Sequence, residues 1–442
     1  MTGEASPNQQ TSGARPGRLA LVICVGLLIW ALPRPDEVDP RAWQLLAIFV
    51  ATVVGIIAKP LPMGAMSIVG IATAVATRTL TIAEALSGFS NGTVWLVVTA
   101  FFIAAGFIKT GLGTRIAYSL VALFGRSTLG LGYSLVASDL VLAPVIPSNT
   151  ARAGGVIFPI LQSLARGAPG SDPVRRGQTN AFLTLVAYNG TVITSAMFLT
   201  AMVANPLAAQ LASNQGIAIT WGMWALAAVV PGAVSLVVIP LVIYRLCRPG
   251  VTRTPDAPAA ARVALARLGS IKRSERLMGA IVVILLAAWI LGPAIGLDVT
   301  AAALMAVAAL LLTGVLSWDD VAREHEAWNT FIWFAALVMM ATYLGQLGLI
   351  QWFTGQVESA FTGFGWVPGV LGLSLIYFYS HYFFASMTAH VSAMYAPFLA
   401  VAVALGAPPL LAALVLAFFS NLFASLTHYG TAPAPIFLAA GM

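Results

Sequence analysis

Apolar runs separated by short polar breaks extend along almost the whole chain. They lie near residues 19–32, 43–58, 62–77, 93–109, 128–146, 153–165, 178–203, 219–244, 277–292, 299–316, 329–347, 366–384, 391–405 and 408–427. A helix that crosses a bilayer needs about 20 predominantly apolar residues. Several runs are shorter than this or contain glycine, proline or polar residues, so we expect fewer crossings than runs.

The composition places these runs in a membrane. Of the 442 residues, 59% are hydrophobic and only 8% are charged, whereas soluble globular chains carry about 25% charged residues. Such sparse charge argues against a soluble enzyme, a disordered chain and a nucleic-acid binder. Because lipid offers no hydrogen-bond partner to the backbone, we predict an all-α polytopic membrane protein. The two cysteines, Cys24 and Cys247, form neither a disulfide framework nor a metal motif.

The amino-terminal residues 1–18 are polar and are predicted to form a disordered cytoplasmic tail. The first apolar run follows Arg15 and Arg18, as the core of a signal peptide would. No clear cleavage site comes after it, and further runs follow directly. We therefore interpret this run as an uncleaved first helix.

Two apolar stretches, 128–165 and 366–405, are each interrupted at one polar point. We interpret each stretch as a re-entrant hairpin of two half-helices. The segments 112–125 and 350–363 precede the hairpins and are weakly amphipathic, so we predict that they lie along the membrane interface.

A hydrophilic linker, residues 245–276, divides the chain into a first half, 19–244, and a second half, 277–442. Only Asp256 and Glu275 balance its basic residues, which are Arg245, Arg248, Arg253, Arg262, Arg267, Lys272, Arg273 and Arg276. Basic loops stay in the cytoplasm. With a cytoplasmic amino terminus and six crossings before the linker, 18 of the 22 Lys and Arg residues fall on the cytoplasmic side. We predict a multi-pass protein of the cell inner membrane.

The two halves resemble each other. Trp95 and Trp333 open similar apolar segments and lie 238 positions apart, as do Ser148 and Ser386 farther along. The first hairpin enters from the cytoplasm and the second from outside, so the repeat is predicted to be inverted. Inverted repeats are typical of secondary transporters that bind substrate near the midplane.

The hairpin tips are the first candidate binding groups: Ser148, Asn149 and Thr150 in one, and Ser386 and Thr388 in the other. Half-helix amino termini carry partial positive charge and free N–H groups, which suit anions. We expect the tips to face each other within reach of one small anion. In the alternative interpretation, the hydroxyls only satisfy backbone groups within the bundle.

Arg152 and His390 follow the tips at equivalent positions. An arginine at membrane depth is costly and normally has a functional partner, and Arg can bind a carboxylate through two hydrogen bonds. If Arg152 and a protonated His390 faced the site, the empty carrier would bear up to two positive charges, which would favour obligatory exchange. The alternatives are an Arg152 ion pair with Asp139 and a neutral, hydrogen-bonded core histidine.

Two further polar breaks follow the hairpins. One is 188–191, which contains Asn189, and the other is 427–431, which contains Thr427. Each is predicted to unwind a helix opposite a tip and to complete a substrate or cation site. An ordinary glycine or proline kink is the alternative. His381 and His428 are predicted to be structural or interfacial.

Enzyme and metal motifs are absent from the sequence. It contains no GxSxG, HExxH, GxxxxGK[ST] or CxxC pattern. An intramembrane serine hydrolase that uses Ser386 and a histidine is conceivable, but the repeat accounts for these residues better. We predict no enzyme, no metal site and no cofactor.

At these residues the chain resembles a known family. APVIPSNTARAGGVIFPI, AYNGTVITSAMFLTAMVANPL, HYFFASMTAHVSAMYAPFL and NLFASLTHYGTAPAPIF look like the divalent anion:sodium symporter family, above all its exchanger branch of 2-oxoglutarate/malate translocators and citrate/succinate antiporters. The resemblance covers roughly residues 40–440. It implies a homodimer with an oligomerisation scaffold and a moving transport domain, an elevator. It also implies that Ser148, Asn149, Thr150, Ser386 and Thr388 contact substrate.

The chain departs from the family in two places. Met387 stands where sodium-coupled members have asparagine, and it lacks an oxygen for sodium, so the resemblance favours exchange without sodium. Family members also usually continue for one more helix, so the resemblance implies that the second half lacks a final helix before Met442.

The leading hypothesis is exchange of dicarboxylates or tricarboxylates, in the class of malate, 2-oxoglutarate, succinate and citrate. The alternatives are sodium-coupled dicarboxylate symport and, less favoured, an anion channel or a receptor without turnover. The expected partners are small carboxylate anions, membrane lipid and a second copy of the chain.

Overall fold

The computed structural model describes residues 14–166, 172–360, 365–384 and 386–439. Helices dominate this part of the chain, and it contains no β-strand beyond an isolated bridge between Ser127 and Arg253. The predicted all-α fold is confirmed. Most of the predicted tail lies outside the described residues, but its last residues are helical because Pro16 begins the first helix, where the fixed φ of proline is favourable.

Twelve helices precede the linker in the described residues. They are α1 (Pro16–Ala31), α2 (Pro40–Ala58), α3 (Met63–Ala76), α4 (Ile82–Leu86), α5 (Gly92–Thr110), α6 (Leu112–Phe124), α7 (Thr128–Leu142), α8 (Asn149–Arg152), α9 (Phe158–Arg166), α10 (Pro173–Met197), α11 (Ala204–Ser213) and α12 (Trp221–Leu246). The linker itself contains a helix, α13 (Ala257–Leu268), which packs on α6.

Ten helices follow the linker in the described part of the chain. They are α14 (Arg273–Leu291), α15 (Val299–Leu312), α16 (Trp318–Ala322), α17 (His325–Gln346), α18 (Leu349–Ala360), α19 (Trp366–Ser380), α20 (Met387–His390), α21 (Ala396–Ala404), α22 (Pro409–Leu422) and α23 (Ala434–Ala439).

Seven helical stretches in the described residues are long and apolar enough to cross a membrane. They are Pro40–Ala58, Gly92–Thr110, Trp221–Leu246, Arg273–Ile295, His325–Gln346, Met387–Ala404 and Pro409–Leu426. Fewer full-length spans than apolar runs are therefore found, as the pattern predicted.

The internal repeat is visible in the bounds of the helices. An offset of 238 relates α7 to α19, α8 to α20 and α9 to α21 at both ends of each helix. Between these helices, the π-helical turns Ala153–Ile157 and Val391–Tyr395 share the same offset. The helices α3 and α15 correspond at an offset of 236. The repeat is thus a repeat of local structure, while its inversion across the membrane stays a prediction.

Each hairpin is broken by local sequence. In the first, the chain leaves α7 and passes Pro144 and Pro147, whose rings cannot continue a helix. Ser148 then caps α8, because its Oγ accepts a hydrogen bond from Ala151 N at 3.1 Å. In the second, Ser386 Oγ accepts from Ala389 N at 3.4 Å. A short side chain that caps a helix begins the second arm of both hairpins.

The linker is attached to the start of the first hairpin. Thr128 N donates to Thr252 O at 3.1 Å, and Thr254 N donates to Arg126 O at 3.0 Å. Arg115 on α6 pairs with Glu275 at 2.6 Å. The linker and the entrance to the first hairpin therefore lie on the same side of the membrane.

The cytoplasmic position of the linker can be tested with a native residue. Cys247 is exposed at the start of the linker, so in a Cys24→Ser background it is the only thiol. A membrane-impermeant maleimide should label it only after the cells are permeabilised. Ile295→Cys, at an exposed turn predicted to be external, is the control that should react in intact cells in a background without the native cysteines. Labelling of Cys247 in intact cells would reverse the orientation.

A loop ion pair predicts how stability depends on pH. Lys109 Nζ donates to Asp320 at 2.6 Å, and this bond, together with the Ser317 N–H, lowers the pKa of Asp320 from 3.8 to about 2. A carboxylate with a depressed pKa stabilises the fold above its unfolded pKa and loses this contribution as the pH falls. Thermal unfolding in micelles should therefore show a fall in Tm between about pH 4 and 2 that Asp320→Asn reduces. The exposed Asp319→Asn should leave that fall unchanged.

Candidate functional site

The segment Thr427–Thr431 lies between the two hairpins. Asn149 Nδ2, at the first tip, donates to Thr431 Oγ1 at 3.3 Å. His381 Nε2, at the end of the first arm of the second hairpin, lies 2.9 Å from Gly430 O. A Cβ at position 430 would lie 2.7 Å from both His381 Nε2 and Thr427 Oγ1. Only glycine at position 430 allows this close approach. Through these contacts, both hairpins meet the segment Thr427–Thr431.

The second predicted break is found where the sequence placed it. The helix α22 is followed by a 3₁₀ turn that ends at Leu426, and Thr427 is extended, with φ −142° and ψ 153°. Its buried hydroxyl has no hydrogen-bond partner in the described residues. An unpartnered hydroxyl at an unwound point is typical of a group that binds a ligand.

The first predicted break is wrong in position. Residues 188–191 are helical, and α10 continues to Met197. The side-chain amide of Asn189 bonds within the helix, since its Nδ2 donates to Leu185 O at 2.9 Å. Gly190 serves packing, because a Cβ there would lie 2.8 Å from Val136 on α7.

The chain unwinds ten residues later, at 198–203. Phe198 has φ −130° and ψ 140°, and Met202 is also extended. Asn205 Nδ2 donates to Ser195 O and Phe198 O at 2.7 and 2.9 Å, which satisfies carbonyls freed by the break. Thr200 Oγ1 donates to Pro144 O at 2.6 Å. The actual break therefore still lies against the first hairpin.

Ser148 and Ser386 occupy equivalent places at the tips, half-buried, and each oxygen accepts from its helix. Both serines therefore cap a helix, as the alternative interpretation expected. Each hydroxyl can still donate its own proton to a ligand. Thr150 and Thr388 are also half-buried, and their hydroxyls make no hydrogen bond to the described residues. Contact of all four hydroxyls with one anion stays a prediction.

Arg152 is fully buried and paired with Asp139, which was its alternative interpretation. Its Nε lies 3.1 Å from Asp139 Oδ1, and Nη1 donates to Ile146 O at 2.7 Å and to Ala201 O. Nη2 donates to Ser195 Oγ at 2.7 Å. Four of the five guanidinium N–H groups are therefore used by protein groups. The pair is neutral, so the expectation of an uncompensated Arg152 charge in the empty carrier is wrong.

His390 is also fully buried. Its Nε2 lies 2.8 Å from Ser380 Oγ, whereas its Nδ1 has no partner in the described residues. The rings of Tyr377, Phe423 and His381 pack around it, with the His381 centroid 5.4 Å away. The geometry is that of a core histidine with one unsatisfied nitrogen behind the second tip.

Hydrogen bonds join the two halves next to this site. Tyr188 Oη donates to Ala424 O at 2.6 Å, and Ser425 Oγ donates to Asn189 Oδ1 at 3.3 Å. Asn421 Nδ2 donates to Asn205 Oδ1 at 2.8 Å. Asn189 therefore connects α10 to the turn after α22, and it does not line an unwound segment.

The sequence analysis missed four groups at the site. His381 is predicted to be structural or interfacial, and the sequence pattern does not single out Thr431, Asn205 or Asn421. The two asparagines lie in the apolar strings ANPL and FSNLF. A buried amide in an apolar run is costly unless it is paired, and this was the available signal.

The hydroxyl and amide groups at the hairpin tips are mainly hydrogen-bond donors, and they lie around the segment Thr427–Thr431. No cluster of three or more His, Cys, Asp or Glu residues in the described residues could hold a metal ion. The buried carboxylate of Asp139 is neutralised by Arg152 and also accepts a hydrogen bond from Thr194. Hydroxyl and amide donors beside two helix amino termini are suited to a small anion.

A solved structure shares the overall architecture. The Alcanivorax borkumensis YdaH transporter, whose crystal structure was described as having an unusual topology, aligns with a TM-score of 0.54. The alignment covers 96% of this chain and 88% of the other, at 14% identity. At this identity, the similarity concerns the fold alone.

Sequence relatives are much closer. The chain is 54% identical over 426 residues to YflS of Bacillus subtilis, which covers 96% of this chain and 89% of YflS. It is 48% identical to the chloroplastic dicarboxylate transporter 1 of Spinacia oleracea, over 98% of this chain and 77% of that protein. It is 37% identical to the inner membrane protein YbhI of Escherichia coli, over 96% and 90%.

The family comparison agrees with the resemblance inferred from the four motifs. The match extends over residues 15–442 and thus over both hairpins, both breaks and the linker. The chain belongs to the sodium:sulfate symporter transmembrane family, the divalent anion:sodium symporters.

Proposed function

We propose that the protein is a secondary transporter that exchanges dicarboxylates or tricarboxylates across the inner membrane. The observation that carries the proposal is that the segment Thr427–Thr431 contacts both repeat-related hairpins. It also contains a buried hydroxyl that has no hydrogen-bond partner among the residues that the structure describes. The name of the spinach relative, a dicarboxylate transporter, supports the substrate class.

The chemistry of the tips supports an anionic substrate. Each tip begins a helical stretch of 18 residues, 149–166 and 387–404, whose first N–H groups have no intrahelical acceptor. The partial positive charge at these amino termini favours anions. Ser148, Thr150, Ser386 and Thr388 add hydroxyl donors. We assign the binding of carboxylate to these donors and to Thr427, and we assign Arg152 to holding the first hairpin in place.

Exchange is favoured over sodium symport by the second tip. Sodium is a hard cation that prefers oxygen ligands, and soft sulfur suits it poorly. Met387 offers only a thioether at the position of an amide, and its side chain is buried. Sodium-coupled uptake of dicarboxylates remains the second candidate, because the family includes sodium symporters.

We further propose that the hairpins move together as a transport domain in a homodimeric elevator. The bonds of Tyr188 to Ala424, of Ser425 to Asn189 and of Asn421 to Asn205 hold α10, α11 and α22 as one unit across the two halves. Such a unit can move without disturbing the site. The resemblance to the family supports the dimer and the moving domain.

Counterflow in proteoliposomes tests the function. Vesicles loaded with malate, 2-oxoglutarate, succinate or citrate should take up external labelled dicarboxylate without sodium, and uptake should saturate. Empty vesicles should take up little. An absolute sodium requirement would establish symport instead, and flux that does not saturate would indicate a channel. No uptake under any gradient would contradict the transport proposal.

A further inference from the structure

An apolar groove lies between α1 and α3, on the surface of α2. Both helices pack on α2, and the groove between them has a volume of about 620 Å³. It follows one face of α1 from Leu19 to Trp30, a rise of about 16 Å at 1.5 Å per residue. One leaflet of the hydrocarbon core is about 15 Å thick. The groove therefore matches the depth of a single leaflet.

The floor of the groove is made of small side chains. Gly26, Ala47 and Ala51 line it, and a Cβ at position 26 would lie 3.1 Å from that of Ala51. Polar lining is limited to threonines such as Thr73, whose hydroxyl is already bonded to the backbone at Val69 O. Nothing in this lining selects a polar ligand, whereas a flexible hydrocarbon chain fits it.

One end of the groove is strongly basic. Arg15 N donates to Pro60 O at 3.1 Å and Arg18 Nη1 donates to Ala58 O at 2.9 Å, so the start of α1 lies beside the end of α2. Lys59 is exposed at the same place. None of these three cations forms an ion pair within the described residues. Three cations without a counter-ion at the membrane surface attract an anion.

The opposite end differs in charge. The loop after α1 carries Asp36, Glu37 and Asp39 beside Arg34. Arg78 also follows Thr77 at this end, so its charge is mixed, whereas the end beside Arg15, Arg18 and Lys59 carries only cations. The phosphate of an anionic lipid is therefore expected at the basic end.

We propose that this groove is a binding site for one anionic phospholipid of the cytoplasmic leaflet. An acyl chain lies between α1 and α3. The phosphate is bound at the basic end of the groove, its mouth, by Arg15, Arg18 and Lys59. A helix from a second copy of the chain fits less well, because covering this mouth would bury three cations without a partner.

Lipid titration of the purified, delipidated protein tests the site. Native mass spectrometry would count bound dioleoyl-phosphatidylglycerol and dioleoyl-phosphatidylcholine, which share acyl chains and differ in charge. We expect phosphatidylglycerol to bind with at least tenfold higher affinity. The triple variant with Arg15→Gln, Arg18→Gln and Lys59→Gln should lose this preference. Equal affinity of the wild type for both lipids would overturn the assignment of the mouth.

A second pair of variants tests the groove itself. Thr73→Trp fills it from α3 and should reduce the binding of both lipids at least tenfold. Ile68→Trp is the matched control, because Ile68 is exposed on the same helix outside the groove, and it should bind as the wild type does. Unchanged lipid binding by Thr73→Trp contradicts the proposal. If that variant instead becomes monomeric and keeps its lipid, the groove is a contact between copies.

Discussion

Replacing Arg152 with alanine should abolish nearly all transport activity, and the loss should come from the structure of the first hairpin. The substitution leaves the Asp139 carboxylate buried without its partner, which typically costs about 3–5 kcal/mol. It also removes the donors that bind Ile146 O and Ala201 O, and thus the connection between the hairpin and the break at 198–203. Proteoliposome exchange and the Tm in detergent should both fall strongly.

The control is Arg323→Ala. Arg323 is 76% exposed, and its one ion pair with a described residue is to Asp319, four residues before it. Exposed pairs of this kind contribute about 0.3–0.5 kcal/mol. Transport and Tm should therefore stay near those of the wild type. A fully active Arg152→Ala would contradict any essential role of this residue.

A double variant separates the two roles considered for Arg152. Arg152→Gln combined with Asp139→Asn removes both charges and keeps hydrogen-bonding groups. If the arginine acts by neutralising Asp139 and holding the hairpin, the double variant should recover much of the lost stability, with a KM within a few-fold of the wild-type value. A stable double variant whose KM rises more than tenfold would show that the guanidinium contacts substrate.

Replacing Thr427 with valine should weaken transport while it preserves or raises stability. The Thr427 hydroxyl is buried and has no partner in the described part of the chain, and a buried unsatisfied group costs about 1–3 kcal/mol. Valine has the same shape and removes that cost. If the hydroxyl bonds the substrate, its loss should raise KM about tenfold, equivalent to about 1.4 kcal/mol. The variant should therefore have a higher KM for exchange and an unchanged or higher Tm.

Thr184→Val is the matched control for this experiment. Its hydroxyl is also buried and has no partner within the described ranges, but it lies on α10 about two turns before Thr191, away from the contacts that define the site. Stability should rise without a change in KM. If Thr427→Val transports with the wild-type KM, the unwound segment does not contact substrate through this hydroxyl.

The sequence by itself determined the membrane class and the repeat. Sparse charge and the apolar runs leave only helices as structures that satisfy the backbone in lipid. Ser148 and Ser386, at one offset, identified both hairpin tips, because a capping serine acts on the backbone of neighbouring residues. Such local signals do not depend on what packs against them.

The tertiary structure decided the partners and the position of one break. The sequence string around Asn189 and Gly190 looks like an unwound point, yet α10 continues because the amide bonds Leu185 O and the glycine packs on Val136. The break lies at 198–203, where Asn205 satisfies the freed carbonyls.

Arg152 illustrates the same limit. The sequence shows a charge at membrane depth and one acid, Asp139, thirteen residues earlier, but it cannot show whether the two side chains meet. The fold places them 3.1 Å apart and adds carbonyls from two other segments. The sequence alone shows that a charged residue lies within an apolar segment. Which distant groups neutralise that charge depends on how the helices pack, and only the tertiary structure determines this.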